Sequence, residues 1–592
     1  MKFLRVFCAL CGFLVSAHAL DREAFTFTNY NLDVRIEPEQ QRLAARGKIT
    51  LRNDSASPQK NLCLQISSTL DWRSIQLDGK PVQFVSQPYT SDIDHTGTLS
   101  EALVTLPKEV PTKGTLELEI GYEGIIPLDV TRLTRIGMPA EVARHSDWDQ
   151  IGKSFTAVRG IGYVAWYPVA TESANLSEGN SVFETLARWE ARGEQTDFKI
   201  KFSRTGEVTP SFVRCNSPLG STQGYEQMGR AYLAWSECSF QPLAGSVPLF
   251  LAGDYEGLDK PPVNISYLAA HKSAAENYAL AAQVVLPFVT EWFGIAKGRA
   301  EARAQVVELS DPQAAPYETG SMMLTPLNSD SKLAQLTAVH QLTHSAFFSP
   351  RPWIYEGLAH FAQAAYRERE SGRDAALDFM GLHRTAVAEA EKALAEAQRA
   401  EAQQKGADAA DSPVNSSVVD TSLVGTSIEE FYRSKAMYVW WMLRDMIGEN
   451  TLKKALAGYR PDWDNAPSYL QHLIEAQSKR DWGWFFDDWV YRDRGLPDFR
   501  VSSAYPRKMA GSNYIVTVTV ENRGNAGAEV PVTLKTEDRQ VTKRLEVRAK
   551  SEAVIRIESA STPQEIDVND GSVPESDMSN NVYKIEIPEK SN

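Results

Sequence analysis

The period of the apolar residues changes twice along this 592-residue chain, and that limits its fold more than any single motif does. From residue 20 to about 255, apolar and polar residues alternate, as in Tyr30–Ile36, Gly47–Leu51 and Thr115–Tyr122. Alternation puts successive side chains on opposite faces of a strand, so these segments read as half-buried β-strands. Asp78-Gly79 adds a hairpin turn signal. From Pro261 to about 498 the recurrence becomes helical, with His271–Phe293 a long amphipathic helix and Ala304–Leu309 a strand. From Phe499 strands return, in Tyr514–Glu521, Val530–Thr536 and Ala553–Glu558. The expected class is multidomain α+β: an N-terminal β domain over 20–255, a helix-rich domain over 256–498 and a small β domain over 499–592. Within the second, Ala386 to about Gln404 reads as an Ala/Glu-rich helix. Lys405–Thr426 reads as a polar insertion, and 451–498 as closing helices.

Residues 1–19 read as an export signal. Lys2 and Arg5 give a positive start, Phe7–Val15 an apolar core and Ala17-His18-Ala19 a small-x-small cleavage site. That apolar run is too short to span a bilayer, and no later stretch approaches the ~20 apolar residues a spanning helix needs. The expected location is periplasmic or extracellular, with no transmembrane segment. The whole sequence has a pI of about 5.3, and without the signal 60 basic residues face 76 acidic ones, a net of −16. Such a balance leaves no overall basic footprint for nucleic acid.

Three cysteines follow the signal. In an oxidising compartment Cys215 and Cys238, each in a strand-like segment, form the expected pair; three buried free thiols are the alternative. Cys63, between Leu62 and Leu64, reads as a core thiol. The segment Gly162-Tyr163-Val164-Ala165-Trp166-Tyr167-Pro168 is an aromatic cluster of the kind that more often fills a core than lines a pocket.

The chemistry concentrates in Val339-His340-Gln341-Leu342-Thr343-His344 and, after eleven intervening residues (345–355), Glu356. Histidines at i and i+4 share one face of a helix, which lets both imidazoles bind one zinc ion. Asp330 or Ser331 is the expected N-cap, with Leu333, Val339, Leu342 and Ala346 buried; Pro350 and Pro352 end the helix. Glu356 opens a second apolar helix and can fold back as a third ligand, leaving a fourth position for water. In the H-E-x-x-H signature the residue after the first histidine is a general-base Glu; here it is Gln341. An amide can hydrogen-bond a water but cannot take its proton.

His340–His344 followed by Tyr355-Glu356-Gly357-Leu358-Ala359-His360-Phe361-Ala362-Gln363 resembles the active-site segment of the aminopeptidase N (membrane alanyl aminopeptidase) family, over about residues 29–498. The resemblance implies an N-terminal β-sandwich, a thermolysin-like zinc domain and the ligands His340, His344 and Glu356. It also locates departures. The linking segment is shorter than in the family, and Tyr355 replaces an Asn. Met323 stands where a Glu would capture a substrate's free amine, and Glu318, five residues away, takes no role by alignment. The oxyanion-stabilising Tyr falls on Arg433, with Tyr432 beside it. Asp577–Asn581 before a last strand resembles the Ig-like cell-adhesion-related domains of exported bacterial proteins, which implies a C-terminal Ig-like β-sandwich.

The expected function is that of an exported zinc-metallopeptidase relative that binds peptides or proteins, with hydrolysis impaired at Gln341. Loss of a general acid–base costs about 10²–10⁴-fold. On this reading alone, Gln341→Glu should raise hydrolysis roughly tenfold or more. The rival is a non-catalytic pseudopeptidase, a cell-envelope binding or scaffold protein that docks a partner through its C-terminal sandwich. A third reading is a working hydrolase with its carboxylate supplied from elsewhere, Glu318 first.

Overall fold

The structure is a computed structural model that describes residues 20–178, 181–206, 213–217, 220–243, 246–294, 304–319, 322–327, 330–407, 422–426, 430–492, 494–509 and 513–586. The expected export signal lies outside these residues, as does most of the polar insertion over 405–426. The chain divides into two compact units, Met1–Asp254 and Tyr255–Asn592.

The first unit is built on an eight-stranded sheet. Its order is Ser221–Met228, Ala231–Phe240, Asp197–Gly206, Phe25–Glu37, Arg42–Asn53, Thr115–Ile125, Leu70–Leu77, Lys80–Pro81. All neighbours are antiparallel except Phe25–Glu37 and Asp197–Gly206, which run parallel. Alternation works as expected along Phe25–Glu37: Tyr30, Leu32, Val34 and Ile36 are buried, while Asn31, Asp33 and Arg35 are exposed. Asp78 and Gly79 turn one hairpin with φ of 51° and 73°, the left-handed conformations that a two-residue turn of this hand requires. Trp166 and Tyr167 are fully buried and pack edge-on to each other at 4.8 Å, so the aromatic segment is core.

One expectation fails here. Residues 131–255 do not continue purely in β, because Thr131–Arg135, Ala140–Ser146 and Ser181–Gly193 are helices. The last of these buries Val182, Thr185 and Trp189, a three-and-four spacing that period two cannot produce.

Cys215 and Cys238 are disulfide-bonded across a separation of 23 residues, and Cys63 is free and buried. Closing a loop of that length is worth about 3 kcal/mol. Burial, with Glu101 beside it, pushes the Cys63 thiol well up, which keeps it protonated and unreactive. Thiol titration of denatured, unreduced protein lacking residues 1–19 is expected to find one free thiol; three would remove the bridge.

The second unit begins with a five-stranded sheet in the order Tyr255–Lys260, Val263–Leu268, Ala304–Glu308, Met322–Thr325, Tyr317–Thr319. The inner three run parallel and the two edges antiparallel. The helix Lys272–Phe293 packs on the helix Ser331–Ala346, which in turn packs on Pro352–Ser371. Asp330 is the N-cap of the middle helix, its carboxylate accepting from the backbone N–H of Lys332 at 2.8 Å and of Leu333 at 3.1 Å. Val339 and Leu342 are buried, but Leu333, in the first turn, is 50% exposed and not core. Pro352 does not only close a turn: it opens the next helix, where the absent N–H costs nothing.

The helix Arg373–Ala407 starts thirteen residues before the expected Ala386. After the π-helical turn Glu430–Lys435 comes the helix Ala436–Ile447, apolar through Leu443 and with Arg444 and Asp445 in its last turn. Two final sheets share one core through Val516, Val518, Val530, Val532, Ile557 and Ile566. Their strands include Phe499–Lys508, Tyr514–Asn522, Ala528–Thr536 and Ser551–Ser559, which is the small sandwich expected from the returning alternation. Among the described residues no helix is long and apolar enough to cross a membrane.

Candidate metal centre

The helix Ser331–Ala346 carries His340 and His344 one turn apart, and their Nε2 atoms stand 3.0 Å from each other. Both are buried, at 8% and 6% exposure. His340 Nδ1 lies 3.4 Å from Gln363 Oε1, and Gln363 donates in turn to the Leu336 carbonyl at 3.0 Å. A partner at Nδ1 fixes the ring and leaves Nε2 free to ligate. The Tyr355 ring lies 3.9 Å from that of His344 and covers it.

Glu356 comes from the facing helix. It reaches His344 Nε2 at 3.6 Å through Oε1 and His340 Nε2 at 3.8 Å through Oε2. The residue after it sets a different close approach: a Cβ on Gly357 would lie 2.6 Å from Ala436 Cβ, so glycine lets the helix Pro352–Ser371 pack closely on Ala436–Ile447. Trp353 and Trp440 stack beside it at 5.5 Å.

Glu318 is the residue that alignment left out. It sits on the edge strand Tyr317–Thr319, paired directly opposite Met323. Five residues apart in sequence, the two become cross-strand neighbours, since Tyr317–Thr319 and Met322–Thr325 pair antiparallel. Its Oε2 lies 2.9 Å from His340 Nε2 and 3.3 Å from His344 Nε2. Burial opposes its charge, but the two imidazoles outweigh it and hold the Glu318 carboxyl well below the usual range. His340 is raised in return: burial works against it, and Glu318 and then Glu356 more than offset that.

His360 was missed as well. One turn beyond Glu356, its ring is 4.8 Å from that of His340. Among the described residues neither ring nitrogen has a hydrogen-bond partner. Burial, and then His340, push it well below the ordinary histidine value, so it is a neutral donor. Its i+4 spacing from Glu356 was the available signal.

Gln341 points its amide elsewhere. Its Oε1 accepts from the Tyr278 hydroxyl at 2.8 Å and its Nε2 donates to the Gln305 carbonyl at 2.9 Å. Both ends are thus committed to the neighbouring helix and sheet, and the residue is 2% exposed. Arg433, in the π-helical turn, brings Nε within 3.2 Å of Glu356 Oε2, so it ion-pairs with a candidate ligand. Tyr432 packs against the core with the Arg433 guanidinium 5.8 Å from its ring.

The donor set fits a cation. Two groups of ligand atoms, Glu318–His340–His344 and His340–Glu356–His360, each lie within 4.8 Å of one another. Imidazole nitrogen and carboxylate oxygen are the donors zinc takes. His344 Nδ1 and both nitrogens of His360 are buried without hydrogen bonds among the described residues. Such a concentration of unsatisfied groups calls for a charge to organise it.

No protein family model matches the sequence. No curated protein matches it. Solved structures do match. Aminopeptidase A of Legionella pneumophila, in complex with aspartic acid, is 11% identical with a TM-score of 0.56; the match covers 95% of this chain and 60% of that one. This chain therefore spans about 60% of the length of the Legionella protein. An M1 zinc metallopeptidase of Deinococcus radiodurans, a mutant bound to a Tyr-Ser-Ala substrate, is 13% identical with a TM-score of 0.44, covering 80% of this chain and 96% of that one. At 11% identity the likeness to the Legionella protein is one of fold.

Proposed function

We propose that the chain is an exported zinc-metallopeptidase relative, which holds zinc through His340, His344 and Glu356 and binds peptides in the cleft above them. The carrying observation is the meeting of two imidazoles and Glu356 from separate helices, at 3.6 and 3.8 Å. When bound, zinc supplies Lewis-acid chemistry that polarises a peptide carbonyl and activates water.

The chain's own residues supply less than hydrolysis needs. Gln341 takes no proton and is tied to Tyr278 and Gln305. Arg433 is drawn to Glu356 rather than standing free for an oxyanion. Hydrolysis is therefore weak or absent.

Elemental analysis is expected to find one zinc per wild-type chain and almost none in His344→Ala, since neither imidazole needs Gln341 to coordinate. Equal, near-zero metal in both overturns the zinc reading. On a quenched-fluorescence peptide pool, turnover at equal zinc loading should stay near background, and strong turnover overturns the impairment. Any residual cleavage should treat acetylated and unblocked peptides alike, because Met323 cannot pair with an amine. A strong preference for the unblocked peptide would assign that anchor to another acid.

The second reading is a pseudopeptidase that acts in the cell envelope by binding, with the C-terminal sandwich docking a partner. It is favoured by the same commitment of Gln341 to structural hydrogen bonds.

A further inference from the structure

We propose that Glu318 closes the cation site as a fourth protein ligand, so that the bound ion is structural and no position stays open for water or substrate. This rests on the zinc ligands proposed above and narrows that reading: with a fourth protein ligand the ion has no place for the carbonyl or water on which its Lewis-acid chemistry would act.

The distances carry the inference. Ligands about 2.0–2.2 Å from a tetrahedral zinc stand about 3.3–3.6 Å from one another. Glu318 Oε2 lies 2.9 Å from His340 Nε2 and 3.3 Å from His344 Nε2, and the two nitrogens are 3.0 Å apart. Glu356 stands 3.6 Å from His344 through Oε1 and 3.8 Å from His340 through Oε2. Glu318 Oε2 and the two Nε2 atoms thus form one compact face of ligand atoms, Glu356 reaches each imidazole with a different oxygen, and Glu318 takes the vertex that a catalytic site leaves to water. A carboxylate serving as proton acceptor would stand one hydrogen bond further out, beyond the ligands, rather than among them.

The strand fixes this position. Tyr317–Thr319 is hydrogen-bonded to Met322–Thr325, and alternation along it aims Glu318 to the same face as Met323. Charge balance agrees. Arg433 offsets part of the negative charge of Glu356, and the second carboxylate restores what a dication requires.

The test uses full-length protein stripped by chelator and reloaded. Zinc affinity, measured by competition with a chromophoric chelator, should fall about 100-fold in Glu318→Ala and in the nearly isosteric Glu318→Gln, the upper end of losses from altered metal surroundings. Cobalt(II) substituted for zinc reports access. Added azide should leave the wild-type visible spectrum unchanged and alter that of Glu318→Ala, where a position has opened. Circular dichroism checks that both variants fold; if Glu318→Ala does not, the affinity of Glu318→Gln decides. A wild-type spectrum that responds to azide, or wild-type affinity in Glu318→Gln, overturns the closed site while the zinc reading stands. A wild type that binds neither metal, like His344→Ala, removes the zinc reading and this inference together.

Discussion

Gln341→Glu is expected to lower stability by about 3 kcal/mol and to leave peptide hydrolysis no higher than wild type. Sequence alone predicts the opposite, a gain of activity, because the position is that of the general base in H-E-x-x-H. The difference lies in what the amide does. Its Nε2 donates to the Gln305 carbonyl at 2.9 Å, and an ionised carboxylate cannot donate. The substitution would set a buried anion against a carbonyl oxygen, leaving that acceptor unpaired at a site only 2% exposed. The Tyr278 hydroxyl could still donate to the new carboxylate, which offsets part of the loss. Tyr278→Phe removes only that neutral bond and should cost about 1 kcal/mol. Thermal melts, read at the transition of the unit Tyr255–Asn592, give the stability arm, and zinc-matched assays on the peptide pool give the other. A tenfold gain in hydrolysis with an unchanged melt would place Gln341 at the reacting atoms, and the structural account of it would fall.

Periodicity made the layers legible, because it reports which face of an element is buried. The N-terminal strands, the helices around His340 and the closing sandwich all follow from it. What periodicity could not supply was pairing. Glu318 and Met323 are five residues apart, and alignment by position treats that as a mismatch; between paired antiparallel strands the same offset makes them opposite. His360 was legible in principle, at i+4 from Glu356, but its meaning depends on His340 from another helix standing 4.8 Å away. The role of Gln341 was hidden for the same reason, since its partners lie 63 and 36 residues away. The helix Ser181–Gly193 was lost differently: its apolar spacing was present, but the strands around it set the assigned period.

Arg132→Met should destabilise the first unit by about 3–5 kcal/mol, and by clearly more than Asp147→Asn does. Arg132 is 4% exposed and Asp147 1%. The guanidinium binds both carboxylate oxygens of Asp147 at 2.7 Å, and its remaining nitrogen donates to the carbonyls of Asp92 and Gly162. Removing it leaves one buried anion and two buried acceptors without partners, and each adds desolvation that nothing offsets. Asp147→Asn leaves the cation its two carbonyls and keeps an amide oxygen as a third acceptor, so the loss is smaller. Arg159 and Asp149 form a second buried pair nearby, with Arg159 between the rings of Trp148 and Tyr163 at 3.8 and 3.3 Å. The two arginines share Tyr163, which lies 5.3 Å from Arg132, so substitutions at both should not add. Because the chain holds two compact units, one melting temperature would mix their transitions. Amide hydrogen exchange over residues 131–163 isolates the effect, with protection falling in Arg132→Met. Equal exchange in the two single variants would mean that the carbonyl contacts contribute nothing and that the ion pair alone sets the cost.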